Sequence, residues 1–268
     1  MFPLGFLGAG NMAEAIVRAL LTRGVARPGD LIVSDPAKSR RDLFTTLGIA
    51  AVADNREVAR RVSTLVLSCK PQQMKDVLSD IAADLPATTL LVSIAAGVDT
   101  ASIRRQLGRP QHPVVRVMPN TPLLVGEGMA AIAPADGVPQ EAVEQVLQLF
   151  EVAGRVVEVT ENLMDAVTAV SGSGPAYYFL LTEHLARAAV ELGLDEETAQ
   201  VLARQTALGS AVMMARSVEP LDVLRQRVTS PGGTTQAAVE SMERAGVPEA
   251  FRRAVHAAAE RGRQLRGT

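Results

Sequence analysis

Pro3-Leu-Gly-Phe-Leu-Gly-Ala-Gly-Asn-Met-Ala13 is the stretch whose reading decides the fold. A short apolar segment runs into Gly8-Ala9-Gly10 and then into an amphipathic run from Asn11 to Arg23. That pattern predicts strand, tight turn, helix. Gly8 permits a turn that a Cβ would obstruct, and Gly10 lets the backbone approach a pyrophosphate. The helix start offers N–H groups and the positive end of its dipole to phosphates. Ala13 takes the third position of G-x-G-x-x-G/A, where a small residue lets helix and strand pack closely. A plain βα turn of another α/β domain uses glycines in the same way, so the rest of the chain has to decide.

Downstream, apolar strands and helices alternate. Strands are expected at Leu31–Ser34, Ile49–Val52, Ser63–Leu67, Thr89–Ser93, Val114–Met118, Met129–Ala133 and Val156–Val159. Helices are expected between them at 38–47, after Asn55 as a candidate cap, from Pro71 to about 85, at 100–107 and at 139–150. This predicts a parallel, doubly wound sheet of Rossmann type, in which ligands bind beyond the carboxyl ends of the strands. Small, Gly, Pro and Asn residues gather at those ends: Gly8–Gly10, Ser68–Pro71, Ala95-Ala96-Gly97 and Asn120. From Glu161 onward strand signals stop. Helices are expected at 174–192, 195–217, 220–227, 234–245 and 248–265, punctuated by Gly193, Pro220, Gly246 and Pro248. The expected division is therefore a dinucleotide-binding domain at 1–160 and an all-helical substrate-binding and dimerisation domain at 161–268. Roughly a hundred helical residues make a small domain, which needs another domain or a second subunit to pack against.

Bulk composition excludes several function classes. Of the 268 residues 47% are hydrophobic and 21% charged, and the net charge of −2 offers no electrostatic grip on nucleic acid or an acidic membrane. Aromatics at 3%, with no Trp, argue against base-stacking platforms. A single cysteine, Cys69, excludes an intramolecular disulfide and suits a reducing compartment. His112, His184 and His256 are far apart and have no ligand-spaced neighbours, so no metal site is expected. The N-terminus runs straight into the glycine turn without a basic leader, and the longest apolar stretch, Thr88–Val98, is too short to span a bilayer. A soluble cytoplasmic protein is expected.

Asp35, about 20 residues past the glycine turn, sits where an acidic side chain bonds the ribose 2′-hydroxyl of NAD and repels a 2′-phosphate. Lys38, Ser39, Arg40 and Arg41 follow at once and could hold that phosphate, so both signals stand side by side. Two further runs, Ser171-Gly-Ser-Gly-Pro-Ala-Tyr177 and Thr229-Ser-Pro-Gly-Gly-Thr-Thr235, each precede a predicted helix. Backbone N–H groups and hydroxyls at the second make a plausible seat for a small carboxylate. Lysine occurs only at Lys38, Lys70 and Lys75, so the helical domain has no lysine for oxidation of a β-hydroxyacid. Few acid–base groups suit reduction of a C=N bond: an iminium already carries its proton, and hydride is nearly all it needs.

Phe6-Leu-Gly-Ala-Gly-Asn-Met12, Lys70-Pro71, Ala95-Ala96-Gly97, Met118-Pro-Asn-Thr-Pro122, Ser171–Tyr177 and Val228–Thr235 together resemble the pyrroline-5-carboxylate reductases, end to end. The resemblance implies reduction of L-1-pyrroline-5-carboxylate to L-proline by NADPH or NADH. It also implies a homodimer through the helical domain, commonly in a decamer of five dimers. Carried over by motif, Gly8, Gly10, Asn11, Met12, Ser34, Asp35, Asn55, Lys70, Pro71, Ala95, Ala96 and Asn120 would contact the cofactor. Ser230, Gly232, Gly233, Thr234 and Thr235 would meet the substrate carboxylate, with Thr235 the catalytic donor to the ring nitrogen. Asp35 stands where NADPH-using members often carry neutral or basic residues. Gln226 replaces a frequent acidic residue, and Glu219 is expected to approach the site. A reductase of a six-membered cyclic imino acid, and a non-catalytic nicotinamide-nucleotide-binding protein, are the alternatives.

Overall fold

In the computed structural model, residues 3–266 are described. Met1, Phe2, Gly267 and Thr268, which the expected domain ranges include, lie outside the described residues. In chain order, the first part comprises β1 (Leu4–Leu7), α1 (Asn11–Thr22), β2 (Leu31–Ser34), α2 (Lys38–Thr46), β3 (Ala50–Val52), α3 (Asn55–Ala59), β4 (Thr64–Leu67), α4 (Met74–Ile81) and β5 (Leu90–Ser93). Then follow α5 (Thr100–Leu107), β6 (Val114–Pro119), β7 (Gly128–Pro134), α6 (Gln140–Glu151) and β8 (Gly154–Glu158). The eight strands form one sheet in the order β3-β2-β1-β4-β5-β6-β7-β8. The reversal of direction between β1 and β4 makes the doubly wound arrangement that the strand–helix alternation predicts.

The period-two pattern of the strands explains why both faces are covered. Phe6, Val33, Val66, Val92, Val115 and Val117 join one buried cluster with Ile16 and Leu20 of α1, Phe44 of α2 and Val143, Val146 and Phe150 of α6. Their strand neighbours Leu7, Ile32, Leu65, Leu67, Leu91 and Val114 join a second with Met74 and Leu78 of α4 and Ile103 of α5. A one-residue slip in any strand would exchange its members between the two faces.

Two local expectations are corrected. The sheet is not wholly parallel: β6 and β7 pair antiparallel, with Val117 opposite Ile132. Their connection holds only a short 3₁₀ segment, Thr121–Val125, and a parallel pair needs a crossover of about a dozen residues or more. Asp54, not Asn55, caps α3 and accepts a hydrogen bond from the Arg56 N–H at 2.9 Å. Residues 161–172 form a 3₁₀ turn (Glu161–Leu163), α7 (Met164–Val167) and a π-helical turn (Thr168–Gly172) that run into the next helix.

The helices that follow are α8 (Gly174–Glu191), α9 (Glu196–Arg216), α10 (Leu221–Arg227), α11 (Thr234–Arg244) and α12 (Val247–Arg266). The described residues fall into two compact units: one extends through Gly172 and regains the chain from Ala258, and the other is Ser173–Ala257. Within the second, Tyr177 and Phe251 meet edge to face, their ring centroids 5.7 Å apart. Of the α8 and α9 residues only Gly174, Ala186, Ala199 and Ala203 are buried, while Phe179 is 68% and Leu181 63% exposed. So much exposed apolar surface marks an interaction face. Among the described residues, no helix is long and apolar enough to cross a membrane.

Arg116 of β6 is 1% exposed, and its Nη1 donates to Glu161 at 2.7 Å. Among the described residues, its Nε and Nη2 have no hydrogen-bond partner. Glu161 also accepts from the Thr100 hydroxyl at 2.9 Å and is 29% exposed. The pair is therefore asymmetric. Glu161→Ala strands a buried cation and is expected to cost about 3 kcal/mol, whereas Arg116→Met leaves a carboxylate that water reaches and costs less. Urea denaturation of both variants checks this order; equal costs would contradict it.

Candidate functional site

The β1–α1 turn is clamped from both sides. On the β2 side, the Gly8 N–H donates to Ser34 O at 2.9 Å and the Ala9 N–H to Asp35 Oδ2 at 2.9 Å. On the β4 side, Ser68 Oγ donates to Gly8 O at 2.6 Å and lies 3.1 Å from Leu7 O. Gly8 has φ +102°, and a Cβ there would lie 2.7 Å from Ser68 O, so backbone strain and close approach both demand glycine. Gly10 caps α1 with extended backbone and no side-chain cap bond, and the position of its missing Cβ faces open space. The first N–H groups of α1 lack intrahelical acceptors and open toward that space. Ala13 is 1% exposed, as close helix–strand packing requires.

A cleft of about 450 Å³ opens beside this turn. Of the expected cofactor residues it brings together Gly8, Gly10, Ser34, Asp35, Asn55 and Lys70. An open-faced glycine, a free helix start and a ribose-reaching carboxylate at one sheet edge fit a dinucleotide diphosphate and its adenosine ribose. Ser34 is fully buried; its hydroxyl donates to Asn55 Oδ1 at 2.7 Å, while Asn55 Nδ2 lies 3.5 Å from Asp80. Ser34 thus orients Asn55.

Asn11, Met12, Pro71, Ala95, Ala96 and Asn120 do not line this cleft. Asn11 and Met12 open α1, Pro71 opens the 3₁₀ turn after β4, and Ala95 and Ala96 follow β5. Asn120 follows β6, and its amide is spent within the protein: Nδ2 donates to Ser171 O at 3.1 Å and Oδ1 accepts from the Met129 N–H at 2.9 Å. It braces the strand end.

Of the basic run after Asp35, Arg40 turns inward. Arg40 Nε donates to Ala9 O at 2.5 Å and its Nη2 pairs with Glu14 at 2.9 Å. Burial would push the Glu14 carboxyl up, but Arg18 and Arg40 outweigh it and hold it below the usual carboxylate range. Arg41 Nη1 donates to Asp35 O and Pro36 O, and Lys38 pairs with Asp42 on an exposed face. Sequence reasoning missed the inward use of Arg40 and the Ser68 clamp. The signal available for Ser68 was a hydroxyl at the end of a strand adjacent to β1.

In the second unit, Thr234 opens α11, with Gly233 as an extended N-cap that makes no side-chain cap bond. Gly232 has φ +70°, and its N–H donates to Gln236 Oε1 at 2.6 Å. The Gly233 N–H donates to Ser230 O at 3.0 Å, so Ser230 closes the loop rather than standing apart from it. Thr235, in the first turn, is half-buried. Glu219 accepts from Arg227, while Gln226 and His184 are exposed. Among the described residues, no three His, Cys, Asp or Glu side chains gather as a metal cluster.

Two outcomes test the first unit's site. Gly8→Ala must adopt strained backbone against Ser68 O and is expected to lose roughly 2 kcal/mol of stability, measured by urea denaturation. Burial pushes the Cys69 thiol up to about 11, which leaves about 100-fold less thiolate than in the unfolded chain. A disulfide reagent at pH 7.5 should label it correspondingly more slowly in native than in urea-unfolded protein; equal rates would contradict the suppressed thiolate.

Residues 161–265 match the family described as pyrroline-5-carboxylate reductase dimerisation, and residues 3–97 match NADP oxidoreductase coenzyme F420-dependent. Pyrroline-5-carboxylate reductase of a Synechocystis strain is 43% identical over 98% of this chain and 97% of its own length. The solved pyrroline-5-carboxylate reductase of Coxiella burnetii superposes with a TM-score of 0.92, at 37% identity and 98% coverage of both chains. That of Plasmodium falciparum, solved with NADP bound, gives 0.89 at 31% identity and covers 99% of this chain and 98% of its own. The glycine-rich turn, the strand-end cleft and the uncapped start of α11 thus stand in a chain that belongs to the pyrroline-5-carboxylate reductase family.

Proposed function

We propose that the chain reduces L-1-pyrroline-5-carboxylate to L-proline, the last step of proline biosynthesis, using NADPH or NADH. The end-to-end family match carries this reading. The bound nicotinamide supplies hydride to the C=N carbon. In this reading Gly8, Gly10 and the first N–H groups of Asn11 and Met12 hold the diphosphate. Asp35 and the Ser34-oriented Asn55 hold the adenosine side, and Lys70-Pro71, Ala95-Ala96 and Asn120 border the cofactor farther along the sheet edge. The N–H groups and hydroxyls of Ser230, Gly232, Gly233 and Thr234 receive the substrate carboxylate, which the start of α11 favours. The Thr235 hydroxyl donates to the ring nitrogen as the C=N bond becomes C–N.

Residues 1–160 serve the nucleotide and 161–268 the substrate and the dimer. The chain carries the family's dimerisation region at 161–265 and is a homo-oligomer. A decamer of five dimers, in the cytoplasm, completes the reading.

Purified protein should oxidise NADPH or NADH when given pyrroline-5-carboxylate, with higher kcat/KM than on the six-membered ring analogue; no turnover with either cofactor refutes the activity. Thr235→Ala removes one polarised hydrogen bond and is expected to lower kcat about 10- to 100-fold while cofactor Kd stays within about twofold. A large loss of cofactor binding instead would move the loop out of the substrate's site.

A further inference from the structure

We infer that this chain selects NADH over NADPH, and that Asp35 is the selecting residue; the inference rests on the proposed use of a nicotinamide dinucleotide. The Asp35 carboxylate is built into the turn that would receive the diphosphate. Its Oδ2 accepts from the Ala9 N–H at 2.9 Å and its Oδ1 from the Ala37 N–H at 2.8 Å. Each carboxylate oxygen accepts more than one hydrogen bond, so both keep room for a ribose hydroxyl as donor. A 2′-phosphate is itself anionic and an acceptor, so it meets repulsion at the same place. Moving Asp35 aside would release the Ala9 N–H within the glycine turn.

The charge around the cleft points the same way. Among the described residues that line it, Asp35 and Asp76 are acidic and Lys70 is the one cation. Lys70 follows β4, across β1 from Asp35 at the end of β2. The three cations that follow Asp35 do not line the cleft. Arg40 is held by Ala9 O and Glu14 and is 27% exposed, and Arg41 is held by the carbonyls of Asp35 and Pro36. Lys38 pairs with Asp42 on the solvent face of α2. A 2′-phosphate would have to detach Arg40 from the glycine turn or Arg41 from the β2–α2 loop, and either exchange gives up contacts that shape the site.

The test is equilibrium binding by isothermal titration calorimetry, with NADH and NADPH separately, on the full-length protein at fixed ionic strength and without substrate. NADH is expected to bind at least about tenfold more tightly, a difference of about 1.4 kcal/mol. Asp35→Ser should weaken NADH severalfold and tighten NADPH, closing or reversing the gap. Asp35→Asn keeps an acceptor for the turn while removing the charge; it should shift the ratio in the same direction, and it carries the test if the serine variant fails to fold. Equal or tighter NADPH binding by the wild type overturns the inference while leaving the reductase reading intact, as does an unchanged ratio in both variants. Binding of neither nucleotide, with no turnover of pyrroline-5-carboxylate, overturns the reductase reading itself.

Discussion

The close approach of the β1–α1 turn to the ends of its two neighbouring strands is the constraint on which the rest depends. β1 lies between β2 and β4, where the winding direction reverses, so the turn after it has a strand end on each side. Ser34 and Asp35 take its N–H groups from one side, and Ser68 takes its carbonyls from the other. Such packing leaves no room for a Cβ at Gly8, because Ser68 O occupies that position. A turn held this way keeps its own polar groups satisfied and still directs the helix start toward open space. Preorganised donors of this kind need no rearrangement to receive a phosphate, which is the physical content of the glycine motif.

The second unit is governed by a different scarcity. Its buried helix positions are alanines and a glycine, while many of its large apolar side chains stay exposed. Buried positions on α8 and α9 are Gly174, Ala186, Ala199 and Ala203, while Phe179, Leu181 and Val201 remain more than half exposed. A single copy cannot offset the entropy of ordering such helices with so little buried surface. The family's dimerisation region covers these residues, and association supplies the missing burial.

Local chemistry made the strands and helices legible in the sequence, because alternation and helix-start residues are short-range signals. The glycine turn, the strand ends and the start of α11 were legible for the same reason. What escaped was decided by distant partners. Asp54 outcompeted Asn55 as a cap because Asn55 is engaged by Ser34, 21 residues earlier. The antiparallel β7 followed from a connection too short for a crossover, and its apolar run, Met129–Ala133, reads alike in either direction. The inward use of Arg40 escaped because nothing in the local sequence reveals that it reaches back 31 residues to Ala9.

The same distance effect recasts Asn120 and explains how residues 161–172 hold their place. Asn120 satisfies both halves of its amide inside the unit, one on Ser171 and one on Met129, so it fixes the β6 end to both β7 and the π-helical turn. Four residues earlier, on β6 between Val115 and Val117, Arg116 reaches Glu161 at the start of that segment, and Glu161 in turn receives the Thr100 hydroxyl of α5. Burial would push the adjacent Asp99 carboxyl up, yet its bonds from Ser102 and the charges of Arg105 and Arg116 hold it below the usual range. A Cβ on Gly172 would lie 2.5 Å from Met118 Cε, so the far end of the segment also packs directly on β6. The segment leaving the sheet is therefore held at its first residue by an ion pair to the buried Arg116 and at its last two by an amide and a close side-chain contact. Apolar packing alone is non-directional and would let a short helical segment slide along the strand. Directional bonds at both ends remove that freedom, and they do so from the strand that carries Asn120 to the edge of the sheet.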